Sequence, residues 1–213
     1  MKAIRQDMTI QGIKNQFTIE VYETHARLAL ENNDFNEFNQ CQTKLKTLYQ
    51  NIQKGHPEEF TAYRILYLLS LGIRQDFSAL LYAIQDLTPE QKLHPFINHA
   101  IKTKRAVITR NYHAFFKLFQ ECPNMGGYLL DEILDTMRVT ALKCIAKAYF
   151  PTVPIQFLSK ELLFPSEASC NTFLRQHGAK FKTQNGVNVV DTKLSKIVSH
   201  FLHPPFGPIS LMR

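Results

Sequence analysis

The sequence predicts a mainly α protein: a helical-repeat (TPR-like) stack of antiparallel helix pairs that closes on a small C-terminal unit with a β-hairpin. Three observations carry this. Apolar residues recur at three- and four-residue steps over most of the chain, the period of a helix with one buried face. One long stretch, Tyr128 to Phe150, keeps that step through Leu130, Ile133, Leu134, Met137, Ala141, Cys144, Ile145 and Ala148. Beyond it come two short helical segments, then two alternating segments around Asn185-Gly186, the strongest short hairpin signal. Three helices followed by a hairpin is the order of a winged helix. The long helix opens at Gly126-Gly127, carries Asp131, Glu132 and Asp135 early and Lys143 and Lys147 late, and is stopped by Pro151 and Pro154. Its charges follow the polarity that the helix dipole favours. It can end the stack and begin the terminal fold.

The upstream elements follow in order. Ile4 to Ile13 is a short helical candidate weakened by Gly12, and Phe17 to Leu30 a stronger one ended by Asn32-Asn33. Asp34 caps the next helix, with Glu37 at the reciprocal capping-box position and Phe35, Phe38, Cys41, Leu45, Leu48, Tyr49 and Ile52 on one stripe. After the break at Gly55-His56-Pro57, Phe60 to Leu71 is apolar on most sides and reads as a helix between neighbours. Phe77 to Leu87 is another helix, and Thr88-Pro89-Glu90-Gln91 combines a cap, a first-turn proline and a capping-box glutamine. Phe96 to Ile108 and the aromatic Tyr112 to Phe119 complete the stack, which is expected to carry no enzyme pocket. Downstream, Ile155 to Leu163 and Ser166 to Gly178 are helices, Ala179–Thr183 and Val187–Asp191 strands, and Lys193 to Phe201 a last helix before a Pro-rich tail. The domains read as 1–131 for the stack, 132–192 for the winged helix and 193–213 for the last helix and tail.

A chain of 213 residues with 45% hydrophobic content can bury a core, and no apolar run reaches the roughly 20 residues of a membrane span. The four cysteines are far apart and read as reduced, packed thiols. The net charge of +7 is uneven: residues 1–90 sum to −2, 91–150 to +5 and 151–213 to +4. A basic second half suits a polyanion. Lys160, Arg175, Lys180, Lys182, Lys193 and Lys196 are the candidate nucleic-acid contacts; a solvated face or a subunit interface is the alternative. The acidic, small start Ser166-Glu167-Ala168-Ser169 argues against sequence-specific duplex reading. Lys102, Lys104, Arg105 and Arg110 form a second basic cluster on one helix, suited to an acidic partner. His25 beside Glu23 reads as a packed residue, since no strained nucleophile, Gly-rich phosphate loop or HExxH accompanies it. His200 and His203 are too few for a metal site, and Phe115, Phe116 and Phe119 read as core. No catalytic residue, metal or cofactor is assigned.

Val21-Tyr22-Glu23-Thr24-His25-Ala26-Arg27 and Glu37-Phe38-Asn39-Gln40-Cys41-Gln42 resemble the signature of the Sac/GANP family of PCI-domain proteins, in its Thp-three and leukocyte-receptor-cluster branch. Glu59 to Tyr67, Asn111 to Phe116 and Ala141 to Leu158 match in order, so the resemblance runs from Ile4 to Phe181. Members of that branch extend further at the N-terminus, so the chain reads as a compact version or a fragment. The resemblance implies a nuclear, non-catalytic scaffold that pairs winged helix to winged helix with a second PCI subunit. It also implies a small acidic Sem-one/DSS-one-like partner, RNA binding by the complex, and a role linking transcription to mRNA processing or export. A pure protein-interaction scaffold of the proteasome-lid or signalosome kind is the alternative.

Overall fold

The structure, a computed structural model, describes residues 2–52, 54–74, 77–184 and 187–198. The described residues form eleven α-helices and three β-strands, grouped in two compact units. The first unit takes the chain up to Gly72, the stretch ending at Lys102, and Cys122–Glu132; the second takes Thr103–Glu121 and the chain from Ile133 onward.

In the first unit, α1 (Lys2–Ile10) packs on α2 (Gln16–Glu31), which forms a helical hairpin with α3 (Phe35–Asn51). Helix α2 starts at a capping box: Thr18 N donates to Asn15 Oδ1 at 3.0 Å, and Asn15 N donates to Thr18 Oγ1 at 3.4 Å. The box expected at α3 is only half formed. Glu37 N donates to Asp34 Oδ1 at 2.9 Å, but Asp34 N donates to Ala29 O instead of to the Glu37 carboxylate. That carboxylate is turned to Lys2 and Arg5 of α1, and a full ion pair outcompetes a backbone N–H already served by the preceding turn.

Helix α4 (Pro57–Arg74) begins on Pro57, as expected, and buries Phe60, Tyr63, Ile65, Leu66 and Leu69. Fully buried Phe38 of α3 meets the rings of Tyr63 and Tyr67 edge-on at 6.5 and 5.7 Å. Such rings are each worth about 1.5–3 kcal/mol of burial. Helix α5 (Ser78–Gln85) follows, and the Thr88 capping box is complete at α6 (Pro89–Leu93). Pro95 restarts the chain as α7 (Pro95–Ile108), where periodicity alone suggested a start at Phe96.

In the second unit, α8 (Tyr112–Gln120) is capped by Asn111 and buries Phe115 and Phe116. Helix α9 (Gly126–Ala148) begins in the first unit and ends in the second. Within the second, Thr136, Met137, Val139, Thr140, Ala141, Leu142 and Ile145 are buried, so more than one face is covered. Cys144, expected on the buried stripe, is exposed, and of the cysteines only Cys41 and Cys170 are fully buried.

Strand β1 (Thr152–Pro154) leads into α10 (Ile155–Glu161) and α11 (Glu167–Gln176), which pack together. Strands β2 (Lys180–Gln184) and β3 (Val187–Asp191) pair antiparallel, and β1 pairs with the other side of β3, giving the order β1-β3-β2. The Asn185-Gly186 turn itself lies outside the described residues. No sequence signal marks β1, because Pro151 and Pro154 read only as helix stops. On an edge strand a proline's missing N–H costs no ladder bond.

The helix expected from Lys193 does not form in the described residues. Residues 192–194 make a turn in which Leu194 N donates to Asp191 Oδ1 and Ser195 N to Asp191 O, both at 3.0 Å. The chain then passes α11 without regular structure: Val198 N donates to His177 O at 3.1 Å, and Lys180 N donates to Ser195 Oγ at 2.8 Å. These bonds to the α11–β2 corner replace the helical ones. Gly178 makes the close pass possible. Its φ is +81°, and a Cβ there would lie 2.5 Å from Lys196 O. The Pro-rich tail from His203, with His200 and Phe201, lies outside the described residues.

Candidate nucleic-acid interface

Helix α11 is fixed at its start by Ser166, whose Oγ accepts from Ser169 N at 3.2 Å, and on its inner face by buried Cys170, Phe173 and Leu174. Arg175, in its last turn, is exposed and stacks its guanidinium over the Phe181 ring, 4.7 Å from the centroid. Strand β2 is an edge strand carrying exposed Lys180 and Lys182. Strand alternation puts both lysines on one face and Phe181, with Arg175 on it, on the other. Lys180 stands opposite Asp191 in the register and Lys182 opposite Val189, so Lys182 meets no cross-strand charge.

The segment after β3 brings exposed Lys196 beside this corner through the Ser195–Lys180 and Val198–His177 bonds, with exposed Lys193 in the turn before it. Lys180, Lys193 and Lys196 therefore share the start of β2, Lys182 follows along the strand, and Arg175 lies on the reverse face. Lys160 is exposed in the last turn of α10. Such dispersed cations fit phosphates, which need charge without fixed order.

The second basic cluster is less unified than one helix would make it. Helix α7 ends at Ile108, and Arg110 lies beyond it in the left-handed region at φ +55°. Lys102 and Arg105 stand three residues apart, as neighbours on the helix surface, whereas Lys104 turns away and is half-buried.

The most charged interior of the first unit lies where the sequence singled out its signature segments. Glu23 is buried and accepts from Tyr49 Oη and His56 N, each at 2.7 Å, and pairs with His56 Nδ1 at 2.7 Å. Arg27 lies 3.5 Å from Glu23 and donates twice to Glu59, at 2.8 and 3.3 Å. Tyr63 Oη donates to Glu59 at 2.7 Å and accepts from Met125 N at 3.0 Å. Gly55, at φ +86°, lets the chain pass so close to Glu23 that a Cβ would lie 2.4 Å from its Oε1. A second knot joins Glu37 to Lys2 and Arg5, with Arg5 Nη1 donating to Cys41 Sγ at 3.2 Å.

His25, Glu37 and Cys41 present three donor atoms within 4.8 Å of one another, a grouping that sequence spacing did not reveal. The Arg5 guanidinium already lies against two of the three, and burial pushes the Cys41 thiol up to about 11, which keeps it protonated. A cleft of about 810 Å³ in this unit carries Lys46, Lys54, Arg64, Glu58 and Asp86, and no Ser, Cys or His among its described lining residues. The bonds of buried Glu23, Glu37 and Glu59 hold helices to one another.

They also set a pH dependence. For the Glu59 carboxyl, burial works upward, but the bonds from Arg27 and Tyr63 outweigh it and hold the group below its usual range. A carboxyl lowered on folding stabilises the native state above its unfolded pKa of about 4.3 and loses that contribution as pH falls through the folded value. His25 is also lowered, by burial first and the Arg5 charge second, with Glu37 opposing. The unfolded chain then takes up that proton first, so stability declines below a pH of about 6.5. The thermal midpoint is expected to fall in two steps on acidification, followed by circular dichroism. His25→Gln should remove the first step and keep the second; an unaltered first step would assign it elsewhere.

By its architecture, then, the chain is a mainly helical protein whose C-terminal part carries a small three-stranded antiparallel sheet. A model of the SAC3/GANP family matches residues 1–183, and the chain belongs to that family. It is 43% identical over 198 residues to a leukocyte receptor cluster member 8 homolog of Xenopus laevis, covering 93% of this chain and 24% of that protein. It is 41% identical over 184 residues to a THP3 homolog of Schizosaccharomyces pombe, covering 86% and 46%. Protein THP3 of Saccharomyces cerevisiae is 33% identical over 181 residues, covering 82% and 38%. The chain thus spans a quarter to a half of the length of these relatives.

Proposed function

We propose that this chain is a non-catalytic PCI-type scaffold segment of a nuclear complex that binds RNA and links transcription to mRNA processing or export. In this reading the end of α9, α10, α11 and the sheet act as a winged helix, and β2–β3 is the wing. The observation that carries it is the exposed edge strand with Lys180 and Lys182, tied at its first residue to the segment bearing Lys196. Family membership supports it from the other side. Lys160, Arg175 and Lys193 extend the basic surface. A second PCI subunit docks winged helix to winged helix and adds its own cations. Of the second basic cluster, exposed Lys102 and Arg105, with Arg110 beyond the helix end, receive a small acidic polypeptide of the Sem-one/DSS-one kind. Catalysis has no part, since the interior charged groups serve as ties between helices.

RNA binding measured across a salt series, by the chain alone and with its partner subunits, tests this. Binding is expected to weaken as salt rises and to strengthen in the complex. Lys180→Glu/Lys182→Glu is expected to lower the log–log salt slope by about 1.4, two phosphates at about 0.7 each on a single strand, while assembly persists. An assembled complex that ignores RNA at low salt would overturn the reading and leave a protein-interaction scaffold.

A further inference from the structure

The aromatic residues that face solvent are not those the sequence drew attention to. Phe115 and Phe116 are core, whereas Tyr149 is 47% exposed, Phe150 69% and Phe157 37%. The Tyr149 and Phe157 rings lie 5.5 Å apart, inclined at 44°, and Phe150 follows Tyr149 directly in the chain. The backbone beneath is pinned: Tyr149 N donates to Ile145 O at 2.8 Å, Thr192 Oγ1 to Tyr149 O at 2.8 Å, and Thr192 N to Pro151 O at 3.0 Å. Rings on a fixed backbone lose little freedom when something stacks on them.

The rim is cationic. Lys160 stands three residues after Phe157 on α10, a neighbour on the helix surface, and exposed Lys147 lies in the last turn of α9, at the helix end that leads into Tyr149. The one carboxylate nearby on α10, Glu161, is paired with His113 Nδ1 at 2.8 Å. Exposed rings framed by lysines meet the two needs of an unpaired nucleotide: a flat face for the base and a charge for the phosphate. An apolar protein segment would use the rings and leave the lysines without a counterpart.

We infer that Tyr149, Phe150 and Phe157 form a stacking platform for unpaired bases, with Lys147 and Lys160 on the adjoining phosphates, so that this chain takes single-stranded RNA rather than duplex. The inference rests on the RNA-binding reading above, but it shares only Lys160 with the side chains named there, and the two can fail separately.

The test compares a 12-nucleotide oligo-uridine with an RNA duplex of the same length by fluorescence anisotropy, using the full chain, unsubstituted and with Phe150 replaced. Phe150 is the most exposed ring, so its variants leave the core intact. Phe150→Leu is expected to weaken oligo-uridine binding about tenfold, within the range of one lost stacked base, with the salt slope unchanged. Phe150→Trp should restore the affinity, since stacking needs a ring and plain apolar contact does not. Photo-crosslinking with 4-thiouridine should map to residues 149–157. Equal affinity for duplex, or unchanged binding in Phe150→Leu, overturns the platform; if Lys180→Glu/Lys182→Glu still lowers the salt slope, the RNA reading survives without it. Loss of a subunit contact in Phe150→Leu with RNA binding intact would assign the rings to a protein interface and also overturn the platform. No binding of either RNA by the chain at low salt overturns it as well, since the platform lies wholly within this chain.

Discussion

Replacing Glu23 with alanine is expected to cost about 3–5 kcal/mol, the penalty for breaking a buried charged network from one side. The carboxylate is 3% exposed, and it answers Tyr49 Oη, His56 N and His56 Nδ1 at once. In its absence the Tyr49 hydroxyl and the His56 amide lose their acceptor, and Arg27 keeps only Glu59. A donor left without a partner in the interior costs the desolvation it has already undergone, which is why truncation costs more than the net worth of the bonds. At roughly 2–4 °C per kcal/mol for a chain of this size, the thermal midpoint should drop by about 6–20 °C. Glu23→Gln keeps one acceptor oxygen in the same shape and should lose distinctly less. Urea denaturation of both variants checks the ordering, and equal losses would show that packing, not the acceptor, is what matters there.

Arg138→Lys is expected to cost about 2–3 kcal/mol in the second unit, although the charge is conserved. Arg138 donates from Nε to Leu162 O at 3.0 Å and from Nη2 to Leu163 O at 2.7 Å, and stacks 4.0 Å from the Phe164 ring centroid. Those carbonyls end α10, where no helical donor reaches them, and Leu163 is held there in the left-handed region at φ +52°. A single ammonium cannot reach both oxygens and cover the ring. The third bond, to exposed Asp135 at 3.0 Å, matters little, and Asp135→Ala should stay within about 0.5 kcal/mol. Hydrogen exchange in Arg138→Lys should rise over residues 162–170; unchanged protection there would refute the clamp.

The helices were legible because their periodicity and end signals agree: the Thr88 box, Pro57 at the start of α4 and the stripe from Ile133 to Ile145 are each written locally. What was hidden depends on residues far apart in sequence. Strand β1 is three residues long and exists only because β3 lies beside it. The strap at residues 195–198 follows a helical apolar pattern, yet its donors find His177 and its acceptors Lys180, which no local rule can anticipate. Glu37 fits a capping box by spacing and was diverted by Arg5, thirty-two positions away. On the candidate site, the sequence supplied the cations of β2 and the strap. It could not show that Arg175 takes the Phe181 face, or that Tyr149 and Phe157 remain uncovered, because solvent exposure is a property of the packed chain.

The two compact units are interleaved along the chain: the second claims Thr103–Glu121 before the first has received Cys122–Glu132. On a ribosome, the first unit therefore waits for residues made after the second has begun, and the second waits for the segment 195–198 that holds the α11–β2 corner. No single backbone cut yields both units whole. A chain break after Lys102 leaves the first unit without Cys122–Glu132, and one after Glu132 leaves the second without Thr103–Glu121, so either break should leave one fragment that completes its unit only with the other; complementation of separately made pieces, rather than independent expression, is the natural way to handle this protein in parts.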